Sequence, residues 1–333
     1  MDLVTLLIML AKTVIVLVVL LSICAYTTLL ERRLMARFQS RVGPNRAGPK
    51  GLLQPAADFV KLLLKEDVVP AGANKVMFVL APVLAFVPAF MSIAVIPFGD
   101  TITLFGRPID MVISDLNIGI LFIFAVSSLG VYALVLAGWS SNSKYSLLGG
   151  LRSSAQMISY EVALSLSVVG VLLLAGTLSL TEIVSKQTSF FDWYIWKQPF
   201  GFLLFLICGI AETNRSPFDL PEAENELVAG YHTEYSSIKF AVFFVAEYAN
   251  MVTISAVATT LFLGGWNGPL LPPVVWFLIK LVFFLFLYIW LRATLPRFRY
   301  DQLMKFGWLV LLPAALANVL LTAMAYNFGW FAW

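Results

Sequence analysis

The feature that most limits what this chain can fold into is the grouping of its apolar residues. They gather in runs of about 17–25 residues, the length a helix needs to cross a hydrocarbon core. Inside such a core every backbone N–H and C=O must be paired within the chain, which leaves helices as the element of choice. Reading along the 333 residues places about eight spans, at 3–30, 76–98, 117–139, 157–178, 199–211, 238–264, 274–291 and 306–328. The fifth is short and borrows length from its neighbours. Composition agrees, with 60% hydrophobic and 12% charged residues, against roughly 45–50% and about 25% in soluble domains. The expected fold is an all-α polytopic membrane helix bundle, a single membrane domain over 1–333. The first run starts near Leu3 with no basic stretch ahead of it and reads as a retained span.

Charge orients the bundle. Of the 22 lysines and arginines, only Arg107, Lys186 and Lys197 fall in one set of connections, and Lys12 and Lys280 fall within spans. The rest lie in the alternate connections, 31–75, 140–156, 212–237 and 292–305, apart from Lys239, which sits two residues past the third of these. The positive-inside rule makes those the cytoplasmic loops and puts both termini outside. Lys12 lies close enough to a helix end to snorkel. Lys280 lies deeper and requires a partner or a wet cavity.

Several chemistries find no support. Cys24 and Cys208 are the only cysteines and His232 the only histidine, too few for a disulfide framework, an iron–sulfur cluster or a zinc site. The stretch GPNRAGPKG at 43–51 looks superficially like a phosphate loop. Its lysine does not follow the second glycine directly, no Ser or Thr comes after it, and Pro44 and Pro49 remove backbone donors. No dinucleotide fingerprint and no nucleophile–base set stands out, and the basic residues serve topology rather than nucleic acid.

Two polar features remain. After the Gly/Pro-rich stretch, a helical pattern runs from Leu52 to Glu66, with Gln54, Asp58, Lys61 and Lys65 on one stripe. Such a helix lies in the membrane interface, with its stripe facing either solvent or a polar cavity. The second feature is acidic. The segment 212–234 carries Glu212, Asp219, Glu222, Glu224, Glu226 and Glu234 against one arginine, Arg215. Ser216, Pro217 and Asp219 resemble a capping box with proline at the first helical position. Capping explains one or two acids and leaves the others as a solvated charge run or as working groups; the interleaved Phe218, Leu220, Leu227, Val228 and Tyr231 speak against mere solvation. Glu161 and Glu247 lie inside spans, where an acid is either a structural hydrogen-bonder or a functional group. Nothing within its own span offers a cation to pair with Glu247, so it is expected to be protonated or to reach water and other polar helices. With Glu212, the two form a candidate relay from the inner loop toward the membrane centre.

Three blocks in order carry a resemblance: ERR at 31–33 with RVGPNRAGPKGLLQPAADFVKLLLKED at 41–67, GWSSNSKYSLLGGLRSSAQMISYEVAL at 138–164, and AETNRSPFDLPEAENELVAGYHTEYSSIKFAVFFVAEYANM at 211–251. The chain resembles the H-subunit family of proton-pumping NADH:quinone oxidoreductases, complex I, whose mitochondrial counterpart is NADH dehydrogenase subunit 1. The resemblance implies a bacterial inner-membrane subunit at the foot of the membrane arm, with cluster-bearing peripheral subunits and other membrane-arm subunits as partners. It implies quinone as substrate, flavin and iron–sulfur clusters held by partners, and no NADH site in this chain. It assigns Arg37, Arg41, Asp58, Lys61, Glu212 and Asp219 to a quinone chamber. It assigns Glu161, Glu212, Glu222, Glu224, Glu226, Glu234 and Glu247 to a proton relay. His232, where relatives vary, receives no role. Two other readings stay open: a homologous membrane subunit of an energy-converting hydrogenase-type complex, and a stand-alone cation transporter using the buried acids.

Overall fold

A computed structural model describes residues 3–104, 107–220 and 227–330. The helices, in chain order, are α1 (Leu3–Phe38), α2 (Gln54–Leu64), α3 (Lys75–Met91), α4 (Gly119–Ser140) and α5 (Lys144–Ala175). Then come α6 (Leu180–Ser185), α7 (Tyr194–Lys197), α8 (Pro199–Glu212), α9 (Ser237–Phe262), α10 (Pro273–Thr294) and α11 (Tyr300–Asn327). A short antiparallel pair, β1 (Ile102–Leu104) and β2 (Arg107–Ile109), sets Ile102 opposite Ile109. Among the described residues, seven helices are long and apolar enough to cross a membrane: α1, α3, α4, α5, α9, α10 and α11. The eighth expected span is α8, an apolar helix of 14 residues. The chain is a multi-pass membrane protein with an all-α bundle.

Two helices run well beyond the spans expected from hydropathy. α1 continues to Phe38, and α5 begins at Lys144 rather than near 157. The first half of α5 is rich in small and polar residues, so apolar runs do not reveal it. Its buried face is Ser146, Gly149, Gly150 and Ser153, while Leu148 and Leu151 point outward. Small residues let backbones approach closely in membrane bundles. A Cβ on Gly138 would lie 2.5 Å from the Ser146 carbonyl oxygen, and one on Gly149 only 2.7 Å from the backbone of Gly230. α5 thereby packs tightly on α4 and supports the loop before α9. It ends at Gly176, whose φ of 66° and N–H to the Leu172 carbonyl form a left-handed cap.

α5 sits at the centre, against α4, α8 and α11, and α9 packs on α3, α10 and α1. α9 is the most enclosed of the long helices and α1 the least. The two intramembrane lysines are handled differently. Lys12 reaches out of α1 to the carbonyls of Val112, at 2.5 Å, and Asp110, at 3.3 Å. Lys280, buried in α10, donates to the carbonyls of Leu263, Gly265 and Asn267 at 2.6–2.9 Å and lies over the Trp193 ring. It thus closes the end of α9 onto α10.

The capping expectation for Pro217 is corrected. Residues 217–220 are turn and irregular chain, and the Asp219 carboxylate is engaged by Arg297, 2.8 Å away. This loop is held from α5: the Gln156 amide donates to the carbonyls of Ala211 and Phe218, both at 2.8 Å, and to Asn214 Oδ1 at 3.2 Å. Phe298 N–H adds a bond to the Pro217 carbonyl.

Candidate functional site

The arginine-rich end of the bundle gathers four chain segments: the last turns of α1, the loop after α8, the first half of α9 and the last turn of α10. Successive residues of a helix point about 100° apart, and the ERR triplet of α1 uses this to reach three partners. Glu31 points into the bundle, Arg32 pairs with Asp58 of α2 at 2.6 Å, and Arg33 donates to the Lys50 carbonyl.

Glu31 is buried and accepts from three groups. Arg292 of α10 and the Tyr248 hydroxyl of α9 both hydrogen-bond it, and Arg215 Nη1 lies 3.4 Å from Oε1. Arg215 in turn places Nε 2.8 Å from Glu247 Oε1 and its guanidinium 4.4 Å above the Tyr248 ring. That contact with Glu247 is an ion pair by distance and lacks the alignment of a hydrogen bond. Two carboxylates thus face two guanidiniums, so the buried cluster is close to neutral, the condition under which charges survive away from water. Burial alone would lower the Arg215 pKa, but Glu247, Tyr248 and Glu31 outweigh it and raise the value, keeping the guanidinium charged.

Glu247 also lines a small cavity of about 40 Å³, room for roughly three waters at ~10–15 Å³ apiece. Asn250, one turn along α9, and Asn214 line it too, as does Glu212 at the end of α8. One Glu212 oxygen has no hydrogen-bond partner among the described residues, and Ser127 of α4 bonds the carboxyl group. Glu161 of α5 acts electrostatically on Glu212 and accepts from Ser128. A continuous set of polar groups therefore runs from Glu161 through Glu212, the cavity and Glu247 to Arg215, Glu31 and Arg292. It continues along α1 to Arg32 and Asp58.

The relay acids expected from sequence, Glu161, Glu212 and Glu247, are thus brought together. The sequence offered Glu247 no pairing cation from its own span; the structure brings Arg215 to it from another segment, which a reading confined to one span could not anticipate. Asp58 accepts from Gln54 at 3.0 Å within the α2 stripe, and Lys61 stands 3.8 Å from it, exposed. Arg37 and Arg41 are exposed beyond this point, Arg41 donating to Gln39. Asp219 lies in the separate pair with Arg297, and Glu234 is half-buried in the loop before α9. Glu222, Glu224 and Glu226 lie outside the described residues. Among those residues, no group of three or more His, Cys, Asp or Glu could hold a metal.

The sequence from 11 to 323 matches the family model described as NADH dehydrogenase. The NADH-quinone oxidoreductase H-subunit of Thermomicrobium roseum is 56% identical over 319 residues, covering 93% of this chain and 94% of that one. H-subunit 1 of Geobacter sulfurreducens is 54% identical over 331 residues, covering 96% and 95%. H-subunit 2 of Koribacter versatilis is 55% identical, covering 96% and 97%. This chain belongs to the H-subunit family of NADH-quinone oxidoreductases. As an H-subunit it is a membrane component of an oxidoreductase complex, and it works with the other subunits of that complex.

Among the members of the H-subunit network not singled out as site residues from sequence are Glu31, Arg32, Arg215, Tyr248 and Arg292. The signal for Glu31 was present, an acid directly ahead of two arginines at the end of an apolar run. Tyr248 does not share the helix face of Glu247, yet it meets Glu31 from across the bundle.

Proposed function

We propose that this H-subunit forms part of a quinone-binding chamber and couples quinone reduction to proton translocation through its buried acids. The observation that supports this best is the polar route from Asp58, on the amphipathic helix α2, to Glu161 inside the bundle. In this reading the α2 stripe of Gln54, Asp58 and Lys61, with Arg37 and Arg41 beyond it, forms chamber wall and mouth. Glu212, Asp219 and Arg297 belong to the neighbouring loop wall. The arginine-rich end faces the cytoplasm of a bacterial cell, as its charge bias predicts.

Quinone reduction to quinol takes two electrons and two protons. The electrons come from a partner subunit's iron–sulfur cluster, itself fed from a flavin in the peripheral arm. Cys24 and Cys208, on α1 and α8 and both buried, do not fit cluster ligation in this chain. Transient negative charge on the quinone draws protons from nearby groups and disfavours ionised carboxylates around it. Because the cluster of Glu31, Glu247, Arg215 and Arg292 is nearly charge-balanced, a proton gained or lost beside it changes the favoured partner at the next group. Glu212, Glu247 and the cavity between them are where a proton can be held and passed.

The test is Glu212→Gln, which keeps shape and removes titration, together with Asp58→Asn at the chamber. Assembled Glu212→Gln complex is expected to pass electrons from NADH to a soluble artificial acceptor while losing most quinone-linked acidification in vesicles. Asp58→Asn is expected to slow quinone reduction itself. Full acidification by the Glu212 variant would remove the relay role, and unchanged quinone reduction in the Asp58 variant would remove the chamber role.

A further inference from the structure

A second cavity lies at the other end of α1, away from the acid–arginine network. It measures about 310 Å³ and every side chain lining it is apolar. Its floor is buried: Leu20 of α1, Val252 of α9 and Leu281 of α10. Its rim is not: Ile15 and Val19 of α1 and Leu278 of α10 are among the exposed apolar residues. The cavity is therefore a sideways opening between α1 and α10 that begins on the bundle's outer surface. A purely apolar recess does not hold water, and a lipid-facing recess of this volume, at the lower end of ligand-site sizes of ~300–1,000 Å³, suits a hydrocarbon chain.

Charge at the mouth narrows the occupant. Lys12 lies one turn from Ile15 and Val16 and two turns from Val19, on the same face of α1. Its ammonium gives two protons to the carbonyls of Asp110 and Val112, leaving one donor. Met111, between those two residues, lines the cavity. The exposed Asp110 carboxylate, which accepts from Thr101 at 3.2 Å, stands beside the lysine and supplies the opposite charge. One cation and one anion, side by side where a helix leaves the hydrocarbon, complement a headgroup carrying phosphate and ammonium together. A purely anionic headgroup could use Lys12 but would bring no cation to Asp110.

We infer that the recess between α1 and α10 is a binding site for one acyl chain of a zwitterionic glycerophospholipid, with its phosphate on Lys12 and its ammonium toward Asp110. The lipid would complete the wall of α1, the least enclosed of the long helices.

The test uses the whole complex in nanodiscs with a photoactivatable phosphatidylethanolamine bearing a diazirine in one acyl chain. Crosslinks are mapped by peptide mass spectrometry, with phosphatidylglycerol carrying the same group as the comparison. The expected result is phosphatidylethanolamine labelling concentrated on residues 15–23 and 274–281. Val19→Trp should block the mouth and remove most of it. Lys12→Gln should reduce it about threefold, the scale of one interfacial charge contact, with Lys12→Arg keeping it. Equal or stronger labelling by phosphatidylglycerol would overturn the headgroup assignment. Unchanged labelling in assembled Val19→Trp complex, or labelling spread evenly over α1, would overturn the site.

Discussion

Glu247 and Arg215 hold each other's charge in a place where neither would survive alone. Removing one partner of a buried pair costs about 3–5 kcal/mol, because the other is left uncompensated. Glu247→Gln and Arg215→Gln should therefore each lower the stability of the assembled complex, whereas the double variant should cost clearly less than their sum. A double-mutant cycle on thermal unfolding of the purified complex measures this, and additive losses would mean the pair is not coupled. Glu247→Asp, which keeps the charge, should fall between wild type and glutamine. His232 behaves in the opposite sense. Burial among Tyr231 and Phe240 lowers its pKa to about 4, against ~6.5 for a free imidazole. The unfolded loop therefore binds a proton that the folded one refuses. The stabilisation is fully present above ~6.5 and is lost as pH falls toward the folded value. Hydrogen exchange of the 227–236 loop, corrected for the intrinsic rate, should show more opening at pH 5 than at pH 7. His232→Gln should abolish that difference.

The loop 213–220 is the element on which the network depends, since it carries Arg215 and Asp219, yet it has little regular structure of its own. Its geometry comes from outside: Gln156 of α5 holds two of its acceptors and the Ala211 carbonyl just before it, and Phe298 and Arg297 hold it from the α10–α11 connection. Gln156→Leu keeps the volume but leaves the carbonyls of Ala211 and Phe218 with only the N–H groups of Asn214 and Leu220, a loss of about 0.5–1.5 kcal/mol per hydrogen bond. Exchange protection of 211–220 should fall. Quinone-linked turnover should fall with it, while electron flow from NADH to a soluble acceptor persists. α5 itself shows why hydropathy under-reports such elements. Its first half is helical because Gly149, Gly150 and Ser153 permit close packing, a property of neighbours that no apolar run records.

For the whole molecule, orientation is the broadest claim, and cysteine labelling of intact cells tests it. Single cysteines at Asn45, Asn142 and Arg299 should react only from the cytoplasmic face where partners leave them open. Asp110 and Ser189, at the opposite end, should react from the other side. Gln187 is unsuitable because it is fully buried, bonding Ile183 and Thr260. Labelling of Ser189 and Asn142 from the same side would break the topology. Sequence by itself determined the class of molecule and roughly how many apolar helices it has, and it pointed to several of the acids. Apolar run length and charge bias are local properties set by the bilayer, not by the rest of the fold. Only tertiary structure decided who meets whom. Glu31 and Arg292 stand 261 positions apart, and Arg215 and Glu247 lie on different elements. Their encounter depends on how α1, α9 and α10 pack, and ion pairing acts over a few ångströms of space rather than along the chain.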